Sequence, residues 1–198
     1  MKATPPYEAA AGRHDRILLA SSSPRRRELL QAAGWQVEVA PANLSERRRP
    51  RESPAAYVRR LARAKAAAVA DRQPAATVLG ADTVVVVDAA ILGKPRHDAA
   101  ARAMLRRLSG RRHQVLTGVC LRRNGQEAVG VVATWVWFAP LSAADIRAYV
   151  ATGEPRDKAG AYAIQGLAAR FIPRIAGSYS NVVGLPVATV WDLWRRLA

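Results

Sequence analysis

Asp82 is a carboxylate in an unfavourable place. It falls between Leu79-Gly80-Ala81 and the β-branched run Thr83–Val87, where an unpaired charge would be costly. It either pairs with a buried base or serves as a functional carboxylate whose pKa is set by its surroundings. Thr83 adds a hydroxyl beside it, and Gly93-Lys94-Pro95 follows shortly as a lysine held in a rigid turn. Carboxylate, ammonium and hydroxyl together suit a phosphate ligand.

A second grouping is Ser21-Ser22-Ser23-Pro24-Arg25-Arg26-Arg27. The unpaired N–H groups and positive dipole end of a helix N-terminus attract phosphate. Arginines in that first turn oppose the dipole, a local conflict expected where an anion is held. The alternative is that they splay into solvent. A third grouping, Gly153–Gly166, combines glycines with Asp157, Lys158 and Gln165, and Gly177–Pro186 is a second such loop. Both read as loops that approach a ligand closely. Neither is a Walker or dinucleotide glycine motif. Cysteine and histidine do not cluster, so any metal would be a hard cation on oxygen ligands.

These residues need elements to position them. Arg16–Ala20 reads as a buried strand, followed by a helix capped by Ser23 with Pro24 at its first position and stopped by Gly34. Trp35–Val39 alternates as a strand. Ser53-Pro54 repeats the cap-plus-proline device and opens a helix carrying Tyr57, Val58, Leu61, Ala62, Lys65 and Val69. Thr77–Gly80 and Thr83–Val87 suit a strand buried on both faces. Asp98–Leu108 is helical. His113–Arg123 and Glu127–Phe138 form a long hairpin about Asn124-Gly125, on which Trp135 and Trp137 share one face. Ser142 and Asp145 make a capping box for a helix through Val150. Phe171–Ile175 reads as a strand and Pro186–Leu197 as a closing helix. The fold class is α/β, a mixed sheet with flanking helices.

Composition bounds the rest. The chain has 198 residues, half of them apolar and 23% charged, enough for one substantial core over residues 16–198 behind a loosely ordered tail over 1–15. No apolar run is long enough for a membrane span, and no secretory signal is visible. The single Cys120 fits a reducing, cytoplasmic setting as a small buried hydrophobe. A net charge of +16 suits polyanion partners, but nearly all of it is arginine in an alanine-rich chain, much of it spaced along solvated helix faces.

The segments LASSSPRRRELL, RLARAKA, LGADTVVVVD, ILGKP, MLRRLSG, TGV, DKAGAYAIQG and GSYSNVVGLP, in this order from about Ile17 to the C-terminus, resemble the Maf family of nucleoside-triphosphate pyrophosphatases. The resemblance implies a Maf/inosine-triphosphatase-like fold, a homodimer, and hydrolysis between the α and β phosphates with Mg²⁺ or Mn²⁺. It implies Asp82 as proton acceptor, with Lys65 and Lys94 as cationic catalytic groups. Ser21, Arg25 and Arg26 would hold phosphates, and Glu46 with Asp82 would adjoin the metal. Arg25, Thr83 and Gln165 fall at positions tied to substrate choice. The motif forms resemble the dTTP/UTP branch. The alternatives are a relative acting on 7-methyl-GTP or another modified nucleotide, and a nucleic-acid-binding regulator of septum formation. Few aromatics interleave with the arginines, and a buried Asp82 suits a nucleic-acid binder poorly, so no nucleic-acid or membrane partner is expected. The chain departs from the family pattern in its N-terminal extension and in the arginines among Arg47–Arg51.

Overall fold

The computed structural model describes residues 16–197; the tail expected over residues 1–15 lies outside them. In chain order the elements are β1 (Arg16–Leu19), α1 (Pro24–Ala32), β2 (Gln36–Val39), α2 (Pro54–Ala70), β3 (Val78–Val87), β4 (Ala90–Leu92), α3 (Asp98–Leu108), β5 (Arg112–Arg123), β6 (Gln126–Trp137) and α4 (Ala143–Ala151). Three 3₁₀ turns follow, then β7 (Arg174–Ala176), α5 (Tyr179–Val183) and α6 (Val187–Arg196). The result is an α/β protein on a mixed sheet of order β2-β1-β3-β5-β6-β7, with β4 also paired to β3. Only the β1–β2 and β1–β3 pairings are parallel.

Local sequence accounts for the best-defined parts. Asn124 and Gly125 both take positive φ between β5 and β6, the backbone that a two-residue hairpin requires. The Ser142–Asp145 capping box is formed in both directions. Three expectations change, the first being that the loop expected over Gly177–Pro186 holds the short helix α5. Ser23 occupies the N-cap of α1, but its side chain makes no capping bond. The strand expected over Phe171–Ile175 is a 3₁₀ turn ending at Phe171, with only Arg174–Ala176 extended. Pro173 lacks the N–H that a continuous strand would donate.

α2 covers one face of the sheet, and α1 and α6 cover the other. A Cβ on Gly80 would fall 2.2 Å from the Ala62 carbonyl oxygen, and one on Gly118 would fall 2.4 Å from that of Val58. These two glycines therefore let α2 lie directly on β3 and β5. Lys65, between Ala62 and Ala66 on the packed face of α2, is carried down to the sheet with them.

β1 and β4 share one edge of β3. β1 pairs only with Val78 and Leu79, and β4 only with Val85 to Val87. The segment from Gly80 to Val84 therefore has no strand on that side, and Asp82 is at its centre.

Candidate active site

A cavity of about 590 Å³ opens at this gap. It is lined by the Ser21–Ser23 turn, Arg25 and Arg26 of α1, Glu46, Lys65, Asp82, Thr83 and Lys94, and by Asp157 and Lys158 from the loop after α4. Successive strand residues point to opposite faces. Asp82 accordingly faces α2 while Thr83 faces α1, and each meets its own partners.

On the α2 side, Lys65 Nζ donates to Asp82 Oδ1 at 2.7 Å and lies 2.6 Å from Glu46 Oε1. Lys65 and Asp82 are both buried, whereas Glu46 is exposed. Burial pushes the Asp82 carboxyl above the usual aspartate range, while the Lys65 ammonium and the Arg26 guanidinium pull it back. A buried carboxylate steadied by an ammonium is poised to accept a proton.

On the α1 side, Arg26 is turned inward and almost fully used. Its Nε donates to the Gly184 carbonyl at 2.9 Å. One terminal nitrogen donates to Ser21 Oγ at 3.0 Å and to the Ala81 carbonyl at 2.9 Å, and the other donates to Thr83 Oγ1 at 3.0 Å. Ala81 O follows Leu79 O, which accepts from Ala20 N, so the guanidinium takes over where β1 leaves the sheet. Four of its five N–H groups are thus held by protein, including groups on both sides of Asp82.

Arg25 faces the other way. It is partly exposed and makes one bond, from Nη1 to Asp157 Oδ2 at 3.3 Å. Asp157 is also paired with Lys158. Lys94 lines the cavity exposed to solvent. The first-turn amides of α1 open beside Ser21–Ser23, since no Ser23 side-chain cap occupies them.

The structure thus brings Ser21, Arg25, Arg26, Glu46, Lys65, Asp82, Thr83 and Lys94 to one cavity. It does not bring Gln165, which is exposed and does not line the wall. Arg27 points to solvent. Sequence reasoning missed Tyr57 and Tyr162 in the lining. Tyr162 is buried in an edge-to-face aromatic cluster with Phe138 and His113, and shares a 2.8 Å hydrogen bond with His113 Nε2. Asn181 was also missed: it is fully buried, its Nδ2 donating to Val115 O and Thr134 Oγ1. It anchors α5, which presents Gly184 O to Arg26.

Among the described residues no three Asp, Glu, His or Cys side chains gather as a closed metal cage. Asp82 and Glu46, however, converge on one ammonium. Two hard oxygen donors beside a cavity suit Mg²⁺ or Mn²⁺, which is commonly held by one or two carboxylates plus substrate phosphates and water.

Residues 16–197 match the family model described as Maf-like protein. The chain belongs to the Maf family. Its relatives include proteins named dTTP/UTP pyrophosphatase. That of Anaeromyxobacter dehalogenans (strain 2CP-C) is 56% identical over 185 residues, covering 91% of this Maf chain and 93% of its own. Those of Symbiobacterium thermophilum and Vibrio cholerae are 57% and 54% identical, covering 86% and 87% of this chain and 88% and 92% of their own. Among solved structures, the Staphylococcus aureus Ham1 protein overlaps at 16% identity with a TM-score of 0.45, over 63% of this chain and 72% of that one, a partial likeness.

Proposed function

We propose that this Maf-family chain hydrolyses dTTP and UTP, with their modified relatives, to the monophosphate and pyrophosphate, and so clears unwanted pyrimidine nucleotides. The observation that carries the reading is the buried Asp82–Lys65 pair at the unpaired stretch of β3, inside a cavity whose wall also carries Arg25, Arg26, Lys94 and Lys158. The bases named for the relatives supply the substrate class.

The chemistry follows from the arrangement. Phosphoryl transfer needs positioning and charge neutralisation more than covalent help. Asp82 accepts the proton of the attacking water, and Lys65 keeps it ionised and aimed. The free α1 amides, Arg25 and Lys94 bind phosphate oxygens. Arg26 fixes the backbone before Asp82 and the hydroxyl after it. A divalent cation held by Asp82 and Glu46 would supply further neutralisation of phosphate charge. Residues 16–198 work as one domain, paired as a homodimer in the cytoplasm. No helix among the described residues is long and apolar enough to cross a membrane.

The test is pyrophosphate release from a panel of nucleoside triphosphates with Mg²⁺. We expect dTTP and UTP to lead, ahead of the purine triphosphates and 7-methyl-GTP. A lead by 7-methyl-GTP would overturn the pyrimidine assignment, and no turnover on any substrate would overturn the reaction.

A further inference from the structure

The segment that follows Glu46 carries Arg47, Arg48, Arg49 and Arg51, all exposed. These residues with Pro50 are the whole lining of a second hollow of about 550 Å³. Among the described residues none of the four forms an ion pair. The two acids that flank the segment are both taken, Glu46 by Lys65 at 2.6 Å and Glu52 by Arg60 at 2.6 and 2.8 Å. The segment is nevertheless fixed in shape. Arg48 Nε donates to Glu52 O at 2.9 Å, Arg49 N donates to the Glu52 carboxylate at 3.0 Å, and Arg60 reaches Arg47 O. At its start, Tyr57 Oη donates to Glu46 O at 2.7 Å while the Glu46 side chain pairs with Lys65 in the cavity. The side chains of Arg47, Arg49 and Arg51 make no hydrogen bond within the described residues.

Guanidinium groups grouped around one hollow repel one another and gain when a multivalent anion enters. The one carboxylate that touches the loop, Glu52, is bound to the Arg49 backbone N–H and to Arg60, and pairs with none of the four guanidinium groups. Glu46, which lines the cavity, immediately precedes Arg47, the first residue of the hollow. We infer that the Arg47–Arg51 loop is a polyphosphate-docking station at the cavity mouth, which captures the triphosphate tail of a nucleotide by charge before the phosphates reach Lys65 and Lys94. The inference rests on the proposed triphosphate substrate. Its chemistry is that of electrostatic capture, which raises association and weakens with salt.

The experiment compares wild type with the triple variant Arg47→Ser, Arg49→Ser, Arg51→Asn, which leaves the Arg48 tether in place. Asn is chosen at 51 because that residue has φ +57°, which asparagine tolerates. With UTP and Mg²⁺ at about 0.03 M NaCl, KM should rise about tenfold with kcat within about twofold. At about 0.5 M NaCl the two proteins should converge. A companion triple variant to lysine should stay within about threefold of wild type at both salts, because capture by charge does not need the guanidinium fork. An unchanged KM and salt slope in the neutral variant overturns the station. So does a lysine variant as impaired as the neutral one, or a fall in kcat at constant KM. Absence of turnover in wild type instead overturns the parent reading.

Discussion

The floor and the rim of the cavity are built on opposite terms. On the floor, Lys65, Asp82, Arg26 and Thr83 satisfy each other at 2.7–3.0 Å in a largely buried network. On the rim, Arg25 has one long bond, Lys94 is exposed, and the Arg47–Arg51 side chains await a counter-charge. Buried polar groups must be paired or they cost stability, so the floor is rigid before substrate arrives. Surface charges lose little when unpaired, so the rim can spend its cations on a ligand. The adjacent pair Arg25 and Arg26 shows the divide within one helical turn: one belongs to the rim, the other to the floor.

That contrast can be broken in order of expected effect. Asp82→Asn removes the proton acceptor and should lower kcat by about 10³ with KM little changed, measured by steady-state pyrophosphate release. Lys65→Met should cost about 10² in kcat and also move the pH profile. Asp82 must be ionised to act, so activity is lost as pH falls through its pKa. Removing the ammonium that pulls that pKa down shifts the acid limb of kcat to higher pH.

Arg26→Met and Arg25→Met separate the regions directly. The first leaves the buried Ala81 carbonyl without its side-chain donor and takes one of two donors from the Gly184 carbonyl, and should cost about 2–4 kcal/mol in urea unfolding as well as activity. The second should leave stability within about 0.5 kcal/mol and raise KM. Equal stability losses would erase the distinction.

A last effect lies behind the floor and touches stability alone. Burial lowers the His113 pKa from 6.5 to about 4, so the unfolded chain binds a proton in this interval that the folded chain refuses. Stability is complete above the unfolded value and falls as pH drops toward the folded one, by roughly 3 kcal/mol. His113→Gln should flatten that slope between pH 7 and pH 4.5 in urea titrations.

Much of this was legible in the sequence because it was local. Asp82 stood out against its apolar run, Asn124-Gly125 set the hairpin, and Ser53-Pro54 opened the helix that carries Lys65. What was not legible depended on distant partners. β4 and α5 are too short to leave a periodic pattern. The unpaired edge of β3 exists because β1 ends at Leu19, opposite Leu79, and antiparallel β4 ends at Leu92, opposite Val85. No spacing in the PRRR run says that Arg26 turns toward a carbonyl 158 residues away while Arg25 does not.

The most direct test of the central claim is the identity of the products. UTP incubated with wild-type protein and Mg²⁺, resolved by anion-exchange chromatography, should give UMP and pyrophosphate in equal amounts, with both formed about 10³ times more slowly by Asp82→Asn. UDP and orthophosphate as the products, or equal turnover by the two proteins, would contradict the account.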